Sequence, residues 1–527
     1  MRYVKTLFLL FSAGAFLVSC ESDDAEDMPQ TLNAGTLSGG PFAFTVDGTP
    51  DRVSGIALTD FNGSGDAQTY VITDDQNNIL GLPPTLEAVE GVDFDEAGPG
   101  VCLIWHMTYR TGLTGLQVGN NVSELAGEYD LSNAITVNRN TLESTRFTVT
   151  IENVGTPRMY FDSGTIGFIM PGQSASYTFH AGPGHYVSLA TMFVQSNDLF
   201  FAPEEAGLAL YDAMGNAVTG DVTSSILIWD AGTEVNEEPG VGPNQAPRQA
   251  GPDTGVDEGG TVQRLSNVND GFTYPAVADQ LQVILEHDGD TEFTLTLNNI
   301  SDMSGIASPL APGVWVVHSG NQTPVFMEGM PASPGLEDIA EDGDNSISDM
   351  ELSENSGFVT PFAPGAFAVN EMVFQTGAPS TAAFEDLAED GDPSGYAHIF
   401  NTPVGASAPG PIFPGQSYSF TCEAVDGDVL SLATMLIQSN DWVIGGNGIA
   451  LFENGMPVSG DITAQLAIYD SGTEVDEYPG AGPNQAPRQA GPDTGVDENG
   501  MVMLEGAIPD NVPQVSEMLR VTLSVEN

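Results

Sequence analysis

Apolar and polar residues alternate along most of this chain, in short stretches. Phe42, Phe44 and Val46 form one such stretch, Phe147, Val149 and Ile151 another, and Phe293, Leu295 and Leu297 a third. Leu281, Val283 and Leu285 repeat the pattern, as do Val521, Leu523 and Val525. Period-two apolar faces bounded by Gly, Pro, Asn and Asp predict half-buried β-strands. Val101-Cys-Leu-Ile-Trp105 is apolar throughout and predicts a further strand. Two acidic blocks, Leu336–Asp344 and Phe384–Asp392, instead predict short helices ended by Gly343 and Gly391 as C-terminal caps.

An internal repeat organises the chain. Gly242–Glu258 recurs unchanged as Gly482–Glu498. Upstream, Leu189-Ala-Thr-Met-Phe-Val-Gln-Ser-Asn-Asp198 is matched by Leu432-Ala-Thr-Met-Leu-Ile-Gln-Ser-Asn-Asp441. Between these blocks lie Trp229-Asp-Ala-Gly-Thr-Glu234 and Tyr469-Asp-Ser-Gly-Thr-Glu474. We therefore expect a shorter copy over 141–288 and a longer one over 289–527, each opened and closed by an alternating strand. The longer copy carries an insertion that is itself doubled: Pro309-Leu-Ala-Pro-Gly313 leads to the first acidic block, and Pro361-Phe-Ala-Pro-Gly365 to the second. Residues 39–140 predict a separate N-terminal β domain. The expected fold is all-β, with three antiparallel β-sandwich domains.

Charge narrows the function. The 527 residues include 11 Lys and Arg against 73 Asp and Glu, a formal net charge of -62, and Lys5 is the only lysine. Nucleic-acid binding needs a basic surface that displaces counterions, so it is excluded. Phosphate-loop and Schiff-base chemistry each need a lysine. Cations, cationic surfaces and neutral glycans remain as partners.

The first 19 residues read as a lipoprotein signal peptide: Arg2 and Lys5, an apolar stretch from Leu7 to Val18, then Leu17-Val18-Ser19-Cys20. The ending resembles the bacterial lipobox, which makes Cys20 the lipidated first residue. Residues 20–38 then form an acidic tether, and its Glu21–Asp27 run resembles the export signals of surface lipoproteins of Gram-negative bacteria. The expected place is the outer membrane, cell-surface exposed and held by lipid alone. Cys102 and Cys422 fall in different expected domains and are expected to be buried free thiols.

No G-x-S-x-G, H-E-x-x-H or G-x-G-x-x-G motif is present, and the six histidines lack ligand spacing. The repeated acids are more informative. Asp198 follows an apolar strand, and Asp230 and Glu234 flank the next loop; Asp441, Asp470 and Glu474 repeat the arrangement. Three carboxylates suit a hard divalent ion if carbonyls or water complete its shell. The bland alternative is a set of turn residues on an acidic surface. Arg248 and Arg488, rare cations in the repeated loop, either pair with acids such as Asp253 and Asp493 or mark a ligand-contacting loop.

The order Ser-Leu-Ala-Thr-Met (188–192 and 431–435), Ser-Asn-Asp (196–198 and 439–441) and Trp/Tyr-Asp-Ala/Ser-Gly-Thr-Glu resembles the spondin N-terminal domain. Pro312-Gly-Val-Trp-Val-Val-His318 and Ala-Glu-Asp-Gly-Asp are similar to segments of its bacterial members. The resemblance implies a C2-like antiparallel sandwich, calcium held by acidic loops, and adhesion to an extracellular protein or glycan ligand. It places the calcium ligands at Asp198, Asp230, Glu234, Asp441, Asp470 and Glu474. Departures are Glu at 234 and 474, Leu199 and Tyr469 in tryptophan positions, and a first copy that lacks the Pro-Gly-Val-Trp block. The leading expectation is a lipid-anchored, non-catalytic binding or adhesion protein. The rivals are a carbohydrate-binding component of a polysaccharide-uptake system, with Trp442 and Tyr478 as aromatic platforms, a structural surface-layer protein, and a hydrolase.

Overall fold

The structure is a computed structural model that describes residues 30–526. Cys20 and the signal peptide lie outside the described residues. Strands make up 36% of the chain and helices 12%, in several antiparallel sheets, so the chain is all-β as its alternation predicts. It divides into two compact units, Met1–Glu143 and Ser144–Asn527. Among the described residues no helix is long and apolar enough to cross a membrane.

In the first unit one sheet runs in the order Phe42–Val46, Ile135–Thr141, Gly100–Tyr109, Ala67–Asp74, Ile79–Gly81, with Tyr129–Leu131 also paired to Gly100–Tyr109. One face buries Tyr70, Ile72, Cys102, Ile104 and Val137 under Leu37, Val53, Ile56 and Phe94. The other buries Val71, Ile79 and Met107. Although Val101–Trp105 is apolar throughout, its burial alternates, with Cys102 and Ile104 buried and Val101, Leu103 and Trp105 half-buried. Two expectations change here. Phe42–Val46 pairs parallel to Ile135–Thr141, so the sheet is not wholly antiparallel. The pairing is geometrically open because the rest of the unit serves as the crossover connection. The only other ladder among this unit's described residues is Thr36–Ser38 with Ala57–Thr59, so one large sheet stands where two facing sheets were expected.

The second unit contains two sheet pairs of matching layout. In the first, Ser174–His180, Glu292–Asn299, Leu281–His287 and Gly220–Asp221 form a four-stranded sheet. Facing it is a seven-stranded sheet whose strands include Gly313–Ser319, His185–Met192, Leu199–Ala202 and Leu227–Asp230. Phe179, Phe293, Leu295, Leu297, Val283, Val187, Phe201 and Trp315 lie in the core between them. The outer face of the larger sheet is covered by the helix Pro334–Asp342 through Leu336, Ile339 and Ala340, against Phe200, Trp229 and Val316. The second pair has the same plan, with a four-stranded sheet of Ser417–Ala424, Thr145–Asn153, Leu519–Val525 and Gly460–Asp461. Its six-stranded sheet includes Phe362–Val369, Val429–Leu436, Trp442–Ala450 and Ala467–Asp470, and the helix Ala382–Asp390 covers the outer face. Ser333 and Thr381 cap the helix N-termini, and Gly343 and Gly391, at φ 66° and 65°, cap the C-termini as expected.

The opening strands are exchanged relative to the expected boundaries. Thr145–Asn153, expected to open the 141–288 copy, lies between Ser417–Ala424 and Leu519–Val525 in the other sheet pair. Glu292–Asn299, expected to open the 289–527 copy, lies between Ser174–His180 and Leu281–His287. The doubled insertion is divided as well. Gly313–Ser319 pairs with His185–Met192, and Phe362–Val369 with Val429–Leu436. The first sheet pair therefore does contain a Pro-Gly-Val-Trp strand, contrary to expectation. Asn153 and Asn299 close the two opening strands identically. The Asn153 amide donates to the carbonyls of Thr360 and Ile412, and that of Asn299 to Ile169 and Ser308. Cys102 and Cys422 are buried free thiols.

Candidate metal centres in the acidic loops

Strand register brings the first pair of acids together. Asp230 ends the strand Leu227–Asp230 and pairs with Leu199, directly after Asp198; Asp470 likewise pairs with Trp442, directly after Asp441. Asp198, Asp230 and Asp441 are 0% exposed. Each is held by its own loop. Oδ2 of Asp198 accepts from the backbone N–H of Thr233 (2.9 Å) and Glu234 (3.2 Å), and Oδ2 of Asp441 from those of Thr473 and Glu474 (both 3.1 Å). Oδ1 of Asp230 and Asp470 accepts from Gly232 N–H (2.7 Å) and Gly472 N–H (2.6 Å). These glycines sit at φ 70° and 68°, and a Cβ on either would lie 2.6 Å from a backbone nitrogen of the returning strand.

The expected triads do not assemble as triads. Asp198 and Asp230 meet Glu258, and Asp441 and Asp470 meet Asp476, each group with carboxylate oxygens within 4.8 Å of one another. Glu234 and Glu474 turn the other way. Glu234 joins Asp253 and Glu341, while Glu474 joins Asp493 and Glu389. The reason is alternation across the loop: the N–H of Glu234 points at Asp198 while its side chain leaves on the opposite side. Oε1 of Glu234 accepts from Gly255 N–H (2.5 Å) and Oε1 of Glu474 from Gly495 N–H (2.7 Å). A Cβ on Gly255 or Gly495 would fall 2.0 or 2.1 Å from the glutamate carboxyl carbon, so these glycines leave room for the carboxyl groups where they sit.

Among the described residues no counter-charge is in place at the four clusters. The ion pairs among the described residues use Arg110, Arg146, Arg264 and Arg520, with partners outside every cluster. Arg248 and Arg488 do not pair with Asp253 or Asp493. Arg248 Nε donates to the Gly242 carbonyl (2.7 Å) and its terminal nitrogen to Gln195 and Gln245; Arg488 repeats this with Gly482, Gln438 and Gln485. Both arginines brace the base of the repeated loop. Oδ1 of Asp198 and Oδ1 of Asp441 are buried without a hydrogen-bond partner. A buried carboxylate oxygen left unpaired costs free energy, and a hard cation satisfies it.

The acids titrate accordingly. Burial, reinforced by the charge of Asp230 or Asp470, pushes Asp198 and Asp441 well above the usual carboxylate range. Burial, with smaller additions from neighbouring carboxylates, pushes Glu341 and Glu389 up to about 7 from 4.5. An acid whose folded pKa is raised holds its proton more tightly in the native state. Its stabilising share is complete below the unfolded value and is lost as pH rises through the folded one. The metal-free chain is therefore expected to lose thermal stability between pH 4.5 and 7. A midpoint that stays level or rises across that window in chelator-treated protein would contradict this.

Glu258, Asp476, Asp253, Asp493, Glu341 and Glu389 were not named as ligands from sequence. The recurrence of Ala-Glu-Asp-Gly-Asp in both halves of the doubled insertion was the available signal for the two helix glutamates. Of the expected aromatic platforms, Trp442 is 2% exposed and donates its Nε1–H to Asp476 (2.6 Å). Tyr478 stacks on His180 at a centroid distance of 3.5 Å. The chain matches no protein-family model and no curated protein.

Proposed function

We propose that this chain is a lipid-anchored, non-catalytic binding or adhesion protein of a bacterial cell surface. Its two sheet pairs are read as spondin-like sandwich modules whose acidic loops are organised by calcium. One observation carries the reading: in both modules a fully buried aspartate presents an unpartnered oxygen, Oδ1 of Asp198 or Asp441, beside two further carboxylates. The donor set suits the group, because Ca²⁺ takes six to eight oxygens and accepts carboxylates together with carbonyls and water. Asp198, Asp230 and Glu258 would hold it in one module, and Asp441, Asp470 and Asp476 in the other. When bound, the ion neutralises charge that the loops otherwise carry unopposed. The loops then keep one shape, which is what a binding surface needs.

The spondin resemblance supplies the adhesion reading, and the Leu17–Cys20 ending supplies the anchor. The net charge of -62 favours a cationic or neutral partner. The glycan-uptake reading has less support, since Trp442 and Tyr478 are engaged within the fold. Retention of the chain on immobilised matrix proteins and glycans, in calcium and in chelator, tests the proposal. Retention on at least one surface that disappears with chelator is expected. Equal retention in both conditions, or none on any surface, would sink it.

A further inference from the structure

We propose that each module holds a second divalent cation, bound by Glu234, Asp253 and Glu341 in one and by Glu474, Asp493 and Glu389 in the other. The three acids of each set come from three separate segments: the loop after the Asp230 or Asp470 strand, the repeated Gly-Pro loop, and the helix Pro334–Asp342 or Ala382–Asp390. Their carboxylate oxygens lie within 4.8 Å of one another. Chance clustering on an acidic surface predicts exposed side chains, but Glu234, Glu341, Glu474 and Glu389 are 3%, 3%, 3% and 4% exposed. Placing two such carboxylates together without a cation sets like charges against each other in a desolvated site.

A second observation points to a ligand. In the second module Oε2 of Glu474 is buried with no hydrogen-bond partner, although Oε1 of the same group is satisfied by Gly495 N–H; in the first, Oε2 of Glu234 accepts from Asn197 Nδ2 (3.2 Å), and the site is inferred there from the matching layout of its three acids. Gly255 and Gly495 provide the space in which the glutamates sit. The helix is brought to the loop independently of any ion, since Gln249 Nε2 donates to Asp342 (2.5 Å) and Gln489 Nε2 to Asp390 (2.9 Å). The site is thus pre-assembled from polar contacts and lacks only positive charge. Oxygen-only ligands select a hard ion, Ca²⁺ or Mg²⁺, over Zn²⁺ or Cu²⁺. Its consequence is structural: the ion ties the 17-residue stretch repeated without change, Gly242–Glu258 and Gly482–Glu498, to its helix.

The proposal is independent of the Asp198 and Asp441 centres, and ion counting separates the two. Equilibrium dialysis of the full chain against Ca²⁺ is expected to give four ions per chain, one for each acidic group. The variant D253N plus D493N is expected to bind two fewer and to keep its far-UV spectrum. Both positions sit at φ 52°, which asparagine adopts readily, and both side chains are exposed. E341Q plus E389Q is expected to give the same loss. D198N plus D441N should leave the other two ions bound. Equal stoichiometry in wild type and D253N plus D493N would overturn the second sites. Loss of all bound calcium in D253N plus D493N would uphold them and remove the first centres instead.

Discussion

Residues 289–527 produced alone will not fold, whereas residues 144–527 will unfold cooperatively. The shorter piece is the second repeat as sequence delimits it, yet it lacks Thr145–Asn153, an inner strand of its four-stranded sheet. That strand pairs through Thr145–Glu152 with Ser417–Ala424 on one side and through Phe147–Asn153 with Leu519–Val525 on the other. Phe147, Val149 and Ile151 are each 0% exposed in the core. Large buried residues cost about 2–5 kcal/mol each when truncated to alanine. Three together approach or exceed the roughly 5–15 kcal/mol that stabilises an ordinary domain. The pairing ladders on both flanks would also be left open as sheet edges. Within the longer piece, Phe147→Ala alone is expected to cost about 3–5 kcal/mol. Circular dichroism and urea unfolding decide the matter. A cooperative transition from 289–527 would mean that each opening strand pairs within its own repeat and that the exchange is wrong.

Calcium will raise the unfolding temperature of the full chain, and Asp441→Asn plus Asp470→Asn will remove the share that comes from the centre at those two acids. An ion that binds only the native state adds about 2.7 kcal/mol at a hundred times its dissociation constant. Magnesium at equal ionic strength is the control, because screening alone stabilises a chain of charge -62. The same variant should behave in the opposite way without metal. Asp441 is then a buried carboxylate beside Asp470, and replacing both by asparagine removes repulsion and desolvation cost. The variant is therefore expected to melt higher than wild type in chelator and lower in calcium. A simple folding defect would lower both midpoints, so the crossing of the two effects is diagnostic. No calcium-specific shift beyond that of magnesium would rule out a calcium centre at Asp441 and Asp470.

Much of the local structure was legible because it depends on neighbours in sequence. Period-two runs such as Leu281, Val283 and Leu285 are strands, and the two acidic blocks are helices capped by Gly343 and Gly391. Asp198 with Asp230, and Asp441 with Asp470, were legible as recurring acids beside apolar strands, and those strands lie side by side although others intervene in sequence. The separation of Glu234 and Glu474 from those pairs was not. Spacing along a loop does not say on which side a glutamate leaves, and in the fold glycines 255 and 495 leave room for the carboxyl groups and donate their N–H groups to them. Glu341 and Glu389 were legible only as members of short acidic helices, because the sheet and loop that bury them lie far away in sequence.

Alternation by itself determined that Phe147, Val149 and Ile151 face a core, as do Phe293, Leu295 and Leu297. It could not determine which core. The two strands carry the same period and end in the same asparagine, so either completes either sheet locally. The choice was made by tertiary structure, where the segments on each side of a strand must reach their own places in the fold without crossing. A hydrophobic pattern specifies a face, and only the closed three-dimensional chain specifies a partner.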